Sequence, residues 1–459
     1  MAKPAEDPFR TFRTIFRFAK RSPSWIEALG IKSEELIGKC IPKILVTYMV
    51  GLAAFFAKRP LLAFALFYIL LCTRCVLWLT DAQFFIEDGP EFYAPAYNEG
   101  ISTLTREYAS YFHAVHRILA LIAAIFPVRY GPLAMEYLGM AVQAAAATYV
   151  VSRRLAGQIP SDLVRLTAAC VLIAHPYSDE LFANVAHGQW YLGIISLGII
   201  YADPCKDRII QAGEGVVLAL SCLTGPFAPA MAIFAWVRLR REKIGLSNAI
   251  IATATASITL VEILTHNRSG LSHPHRYLQL ERMIVNQVVQ GPILGFDYLK
   301  RVPMYVFFDP VKTAIAWFGI AVILFGLRKS PAVIRALACL GLFCSVSSLF
   351  SQATWFGLGN PGMGERYFFY LGIVFLLCLY MLSRTANSST IRWICRIPMV
   401  YCATAIVSNW VYPAPFSYFD FPPQIAPFAH LKPGESLVIE TPGSRLFKMI
   451  KWKTQLIKK

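Results

Sequence analysis

The residues best suited to chemistry follow the first long apolar run: Thr80-Asp81-Ala-Gln-Phe-Phe-Ile-Glu87-Asp88-Gly89-Pro90-Glu91-Phe92-Tyr93. Carboxylates so close to an apolar run are costly unless solvated or paired, so a functional role competes with a hydrated loop whose acids cap helices. A functional carboxylate there would take the proton of an attacking hydroxyl. Asp88 is the first choice for that base, with Glu87 and Asp81 as alternatives or orienting partners. Further along, His113, His116 and Arg117 fall at i, i+3, i+4 spacing and share one helix face, which could hold a phosphate or meet lipid headgroups. A third polar segment, His175 to Tyr191, contains Asn184, Gln189 and Trp190. A fourth ends in Arg366-Tyr367, at the mouth of another apolar run. The planar fork of Arg366 can pair with a phosphate, the bland alternative being contact with ordinary headgroups. Arg276, with His113 and His116, is a weaker candidate for the same charge. His273-Pro-His275 has metal-pair spacing but no adjacent acidic or cysteine ligand, so no metal site is read there.

These residues must be positioned by a chain that is 56% hydrophobic and only 15% charged, with a mean hydropathy of +0.51. That balance excludes disordered, collagenous and coiled-coil classes, disfavours a soluble enzyme, and leaves an all-α polytopic membrane protein. Apolar runs at 61–80, 131–152, 163–177, 190–203, 209–223, 226–237, 247–265, 312–327, 333–350, 367–383 and 397–412 predict about 11 transmembrane helices, two of them meeting at Gly225-Pro226. Residues 44–57, followed by Lys58-Arg59-Pro60, read as an interfacial helix. Three parts result: a basic amphipathic segment 1–60, a transmembrane domain 61–412 with a long loop at 81–130, and a tail 413–459.

The net charge of +17 sits in short clusters between apolar runs, as topology signals do. No recognition helix, RNP-like motif or zinc finger accompanies it, so no nucleic-acid partner is implied. With a cytoplasmic N-terminus, the inside segments hold 26 Lys and Arg and the outside segments 17. Arg153-Arg154, Arg238-Leu239-Arg240-Arg241 and Arg328-Lys329 all fall inside. All eight histidines then map to outer loops or outer helix ends. None of the 11 cysteines does, so no disulfide framework is implied. In the tail, Pro413, Pro415, Pro422, Pro423 and Pro427 prevent a span, and Ser436–Glu440 reads as a short strand. The tail is expected to lie outside as a small basic appendage over the mouth of the site, against an anionic acceptor or headgroups.

The order of these motifs resembles the GT-C superfamily of membrane glycosyltransferases, in particular bacterial multi-span members. The resemblance rests on Glu87-Asp88-Gly89, the Tyr111 to Arg117 to Pro127 segment, Asn184 with Gln189-Trp190, Thr224-Gly225-Pro226, and Arg366-Tyr367. It covers most of residues 60–412, and one departure is Ala109-Ser110 where a Gly commonly precedes the Tyr. It implies a polyprenyl-phosphate sugar donor, a glycan or lipid acceptor, single inversion at the anomeric carbon, and a site on the periplasmic face of the bacterial inner membrane. In that chemistry Asp88, Glu87 or Asp81 serves as base, and Arg366 and Arg117 hold the departing phosphate. No cofactor is implied; a divalent metal stays open but is not indicated. The competing class is a transporter or flippase of a sugar or lipid-linked glycan, with Arg74, Glu136 and Glu262 as gating residues.

Overall fold

The structure, a computed structural model, describes residues 41–74, 76–109, 111–265, 280–301, 309–351, 364–411, 421–442 and 451–459. Contacts divide the chain into Met1–Phe55 and Phe56–Lys459. The described part of the first unit opens helix α1 (Ile41–Lys58), which covers the run at 44–57; the basic residues at 1–40 lie outside the described residues.

The second unit continues with α2 (Pro60–Thr73), α3 (Val76–Thr80), α4 (Ala94–Glu99), α5 (Ala114–Ala123), α6 (Gly131–Val151), α7 (Asp162–Ala174), α8 (Gln189–Tyr201) and α9 (Arg208–Cys222). Then follow α10 (Ala228–Glu242), α11 (Leu246–Thr265), α12 (Leu280–Met283), α13 (Gly291–Arg301), α14 (Asp309–Arg328), α15 (Ala332–Ser351), α16 (Glu365–Thr385), α17 (Ser389–Val411) and α18 (Phe421–Ile425). Strands β1 (Ser436–Pro442) and β2 (Lys451–Ile457) close the chain as an antiparallel hairpin pairing Ser436 with Ile457 and Glu440 with Lys453.

Local chemistry sets many of these boundaries. Proline opens α2 and α6, where its missing N–H costs nothing. Ser161 caps α7, and the Asp207 carboxylate accepts from the Ile209 and Ile210 N–H groups at the start of α9. Gly364, at φ +69°, makes the left-handed turn that starts α16, a conformation costly for a residue with a Cβ.

Each of the 11 predicted runs contains a helix, but helix length does not by itself establish 11 crossings. Among the described residues, three helices are long and apolar enough to cross a membrane: Pro310–Arg328, Glu365–Thr385 and Ser389–Trp410. A fourth is added if Thr47–Lys58 and Pro60–Thr73 count as one span. Helices α7 and α8 extend only about 20 Å each, against a hydrocarbon core of ~30 Å. The run at 61–80 is a correction. It is not one helix, because Arg74 is extended and ends α2. The buried Arg74 guanidinium donates to the Ile173 and His175 carbonyls at the C-terminal end of α7 and pairs with Asp179 at 3.5 Å. Four orphan carbonyls end any helix, and here an arginine from another element satisfies some of them.

Helices α6, α8 and α16 supply much of the interior. All 13 residues of α8 are buried, and it packs on α6, α9, α10 and α15. Helix α16 packs on α14, α15 and α17. The outer helices instead leave large apolar side chains exposed, among them Ile250, Ile258 and Leu264 on α11, and Trp317, Leu324 and Phe325 on α14.

Residues 81–130 are largely helical turns: a 3₁₀ turn at Ile86–Asp88, a π turn at Gly89–Tyr93, α4, a 3₁₀ stretch at Gly100–Thr105, and α5. They share one hydrophobic core with the tail, where Phe84, Phe92 and Tyr93 meet Phe421, Phe428, Ile439 and Leu456. The predicted strand at 436–440 is therefore half of a docked hairpin. The Asn98 amide pairs with the free edge of β2 as a neighbouring strand would, donating to the Gln455 carbonyl and accepting from the Ile457 N–H, each at 2.9 Å. Lys458 and Lys459 lie over the Phe428 and Tyr97 rings.

Candidate functional site

Helices α8 and α16 begin close together. The Trp190 ring packs edge-on against Tyr367 at 5.7 Å, and the Tyr370 hydroxyl donates to the Trp190 carbonyl at 2.7 Å. The polar residues gather at this end. Arg366 forms an ion pair with Glu180, donates to the Tyr367 hydroxyl at 3.3 Å, and has its guanidinium 4.9 Å over the Tyr367 ring. The clasp is reciprocal, since the Glu180 N–H reaches a Glu365 carboxylate oxygen and the Arg366 N–H reaches Glu180, both at 3.4 Å. Sequence reasoning passed over Glu180; an acid next to Asp179 and close to the apolar end of a span was the available signal.

Glu87 belongs to the same cluster. Its Oε2 is shut off from solvent and meets no hydrogen-bond partner among the described residues. Burial holds its carboxyl above the ordinary carboxylate range; Arg366 pulls it down, while Glu180 and Glu91 push it up again. Asp88 has a different task. It is 3% exposed, and its Oδ1 accepts the Ala186 N–H at 2.7 Å, fastening the Glu87 turn to the 178–188 loop. A carboxylate engaged with the backbone in this way fits a base less well than Glu87 does. Asp81 is exposed in the turn after α3 and, among the described residues, forms no hydrogen bond or ion pair with the cluster. Arg276 lies outside the described residues.

Gly89 completes the motif by shape. A Cβ on Gly89 would stand 2.6 Å from the Thr454 hydroxyl on β2 and 3.0 Å from Phe84. The hairpin therefore touches the residue two positions after Glu87, a closer role than the predicted cover over the mouth.

His113 and His116 are buried, and their Nδ1 atoms lie 2.9 Å apart. His113 is the N-cap of α5, at φ +55°, so it leaves the regular helix face predicted for the trio. Three residues with a Cβ around this site, Ala109, His113 and Ala183, take the left-handed conformation, which costs about 1–3 kcal/mol each and persists only where the surrounding contacts offset it. Burial pushes His116 down to about 3 and His113 well below its ordinary value, with the Arg117 charge adding to both, so both rings are neutral. Arg117 is fully buried and donates to the Phe112 and Glu91 carbonyls and the Thr103 hydroxyl. These bonds staple the 91–117 segment, while Arg117 Nη2 is sealed and has no hydrogen-bond partner among the described residues.

The third segment divides in role. Asn184 shapes its own loop, its Oδ1 accepting from the His187 N–H at 3.2 Å, and α6 passes so close that a Cβ on Gly139 would sit 2.8 Å from the Asn184 nitrogen. Gln189 and Trp190 start α8 beside the break at Thr224-Gly225-Pro226, with Trp190 packed on Phe227 at 5.3 Å. The break in turn ties to α5: the Ala114 N–H donates to the Leu223 carbonyl at 3.4 Å and the Val115 N–H to the Thr224 hydroxyl at 2.9 Å. Glu87, Asp88, His113, His116, Asn184, Gln189, Trp190, Arg366 and Tyr367 are thus linked through one continuous set of contacts. Among the described residues, no group of three or more His, Cys, Asp or Glu side chains is placed to hold a metal ion.

The arrangement can accept a proton at Glu87 and stabilise negative charge at Arg366. Comparison of the chain with protein-family models, with curated proteins and with solved structures finds no match.

Proposed function

We propose that the chain is an inverting, integral-membrane glycosyltransferase of GT-C type that moves a sugar from a polyprenyl phosphate to a glycan or lipid acceptor. The observation that supports this reading is the Glu87 carboxyl, with a sealed Oε2 and held up by burial, close enough to the Arg366 cation at the start of α16 to feel its charge, while Arg366 pairs with Glu180. In the proposed step, the acceptor oxygen bonds to the anomeric carbon from the face opposite the phosphate. The carbon–oxygen bond to the phosphate breaks, and its electron pair leaves on that oxygen. Glu87 takes the acceptor proton, and guanidinium N–H groups of Arg366 beyond those given to Glu180 and Tyr367 hold the phosphate. The N-terminal ends of α8 and α16 add positive potential at the same place.

On this reading about 11 helices cross the bacterial inner membrane, the N-terminus is cytoplasmic, the site opens to the periplasm, and the exposed apolar faces of α11 and α14 meet lipid. Transport is favoured less, because Arg74, one of its candidate gating residues, is committed to capping α7 and to Asp179. The test is an assay of membranes with radiolabelled polyprenyl-phosphate sugars. Transfer of label to an envelope glycan or lipid is expected; a Glu87→Gln variant that transfers as fast as the parent would refute the assignment.

A further inference from the structure

The hydrogen-bond direction through the two histidines is fixed by chemistry. His113 Nε2 lies 3.1 Å from the Tyr108 carbonyl, which can only accept, so that nitrogen carries the proton. Because the ring is neutral, its Nδ1 is bare and accepts the Nδ1–H of His116 across 2.9 Å. His116, also neutral, is left with a bare Nε2. That nitrogen is fully buried and meets no partner among the described residues. A buried acceptor without a donor is expensive, and a native site that contains one is often built for a ligand.

His116 Nε2 is one of several such atoms. The Gln189 Oε1 acceptor, the Trp190 Nε1–H donor and the Ser221 hydroxyl are likewise sealed and without partners among the described residues. Gln189, Trp190 and Ser221 stand around the break between α9 and α10, and His116 follows the two residues whose backbone bonds to it. Ser221 lies in the last turn of α9, a Cβ on Gly225 would be 3.1 Å from Gln189 Oε1, and Trp190 packs on Phe227. Residues 114 and 115, directly before His116, bond to Leu223 and Thr224. Gly225 matters here because any side chain would crowd Gln189 Oε1.

We propose that His116, Gln189, Trp190 and Ser221 form a subsite for the hydroxyl groups of an uncharged sugar unit. Two bare acceptors want donors, the indole N–H wants an acceptor, and the serine can serve as either, a mixture that vicinal hydroxyls satisfy at once. A sugar carboxylate would meet two lone pairs and the nearby Glu87 cluster; Arg117, the adjacent cation, gives Nε and Nη1 to Phe112, Glu91 and Thr103 and has its charge opposed by Glu91 and Glu99, which leaves one sealed Nη2–H against those negative groups. The inference rests on the transferase reading only in naming this unit as the sugar that is moved.

Thermal unfolding of the full chain in lipid nanodiscs, free of alkyl-glycoside detergent, tests it. The probes are the methyl glycosides of glucose, galactose and mannose, methyl glucuronide, and farnesyl phosphate. At least one neutral glycoside should raise the midpoint by about 2 °C at concentrations near tenfold its Kd, with no rise from the glucuronide. That rise should vanish in both Gln189→Leu and His116→Phe while any response to farnesyl phosphate persists. If His116→Phe does not fold, Gln189→Leu alone decides. No rise with any neutral glycoside, an equal rise with the glucuronide, or a rise that survives the substitutions would overturn the subsite. A farnesyl phosphate that stabilises nothing would count against the donor reading and leave a glycoside result intact.

Discussion

At the scale of single residues, the proposed site turns on Glu87 and Arg366. Burial, with Glu180 and Glu91, holds the Glu87 carboxyl above its usual range, and Arg366 is the charge that opposes them. As a base it is useful only when ionised, so kcat/KM should fall as pH drops through this raised value, above the ~4.3 of a free glutamate. Removing the cation raises the carboxyl further. Arg366→Ala should therefore move the acid limb to higher pH as well as weaken donor use; a limb that stays in place would separate the two groups. Arg366→Lys keeps the charge without the fork and should be the milder change in both respects. Glu87→Gln should lower transfer by roughly 10²-fold or more. Its stability should move the other way. A carboxyl raised by folding costs the fold free energy once pH exceeds its unfolded value, and the amide removes that cost. A midpoint equal to or above the parent at pH 7 is expected, and a lower one would show that the Glu87 carboxylate supports the fold.

At the scale of elements, the turn that holds Glu87 is clamped from two sides, by the hydrogen bond of Asp88 to Ala186 and by the contact of Gly89 with Thr454. Gly89→Ala drives a methyl group into the Thr454 hydroxyl, so it should lower the unfolding midpoint and slow transfer together. Thr454→Ala vacates that space, and because its Oγ1 has no partner among the described residues, little is lost by removing it. The double variant should regain most of both losses, whereas additive losses would place the effect of Gly89→Ala elsewhere. This contact was not legible in the sequence, since residues 89 and 454 are far apart and neither type signals the other. The same holds for Arg74, which reads as an isolated charge in an apolar run until α7 supplies the carbonyls it caps. Asp88 was legible as important, but its backbone partner depends on a loop 98 residues away. The helices themselves were legible, because their apolar runs and proline starts are local.

At the scale of the whole molecule, two buried helices carry the site and the outer helices shield them, an order that composition alone only hints at. Which outer faces meet lipid depends on how the helices thread the bilayer, and charge makes the sharpest statement there. Arg238, Arg240 and Arg241 lie in the last turns of α10 and Lys243 follows as its C-cap, and a cluster of that density beside a short connection is the kind that the positive-inside rule assigns to the cytoplasmic side. The β hairpin packs on the Glu87 turn through Ile439, Leu456 and Thr454, so it must share the side of the site. If the site faces the periplasm, Lys243 and Lys459 lie on opposite sides of the membrane. Phosphatase fused at Lys243 should then be inactive and phosphatase fused after Lys459 active, with a cytoplasm-dependent fluorescent reporter giving the reverse pattern. The two reporters at each position guard against a fusion that merely fails to insert. Equal signals at both positions would require an even number of crossings between them, and would put the proposed base and the charged end of α10 on one face, which the threading proposed here does not allow.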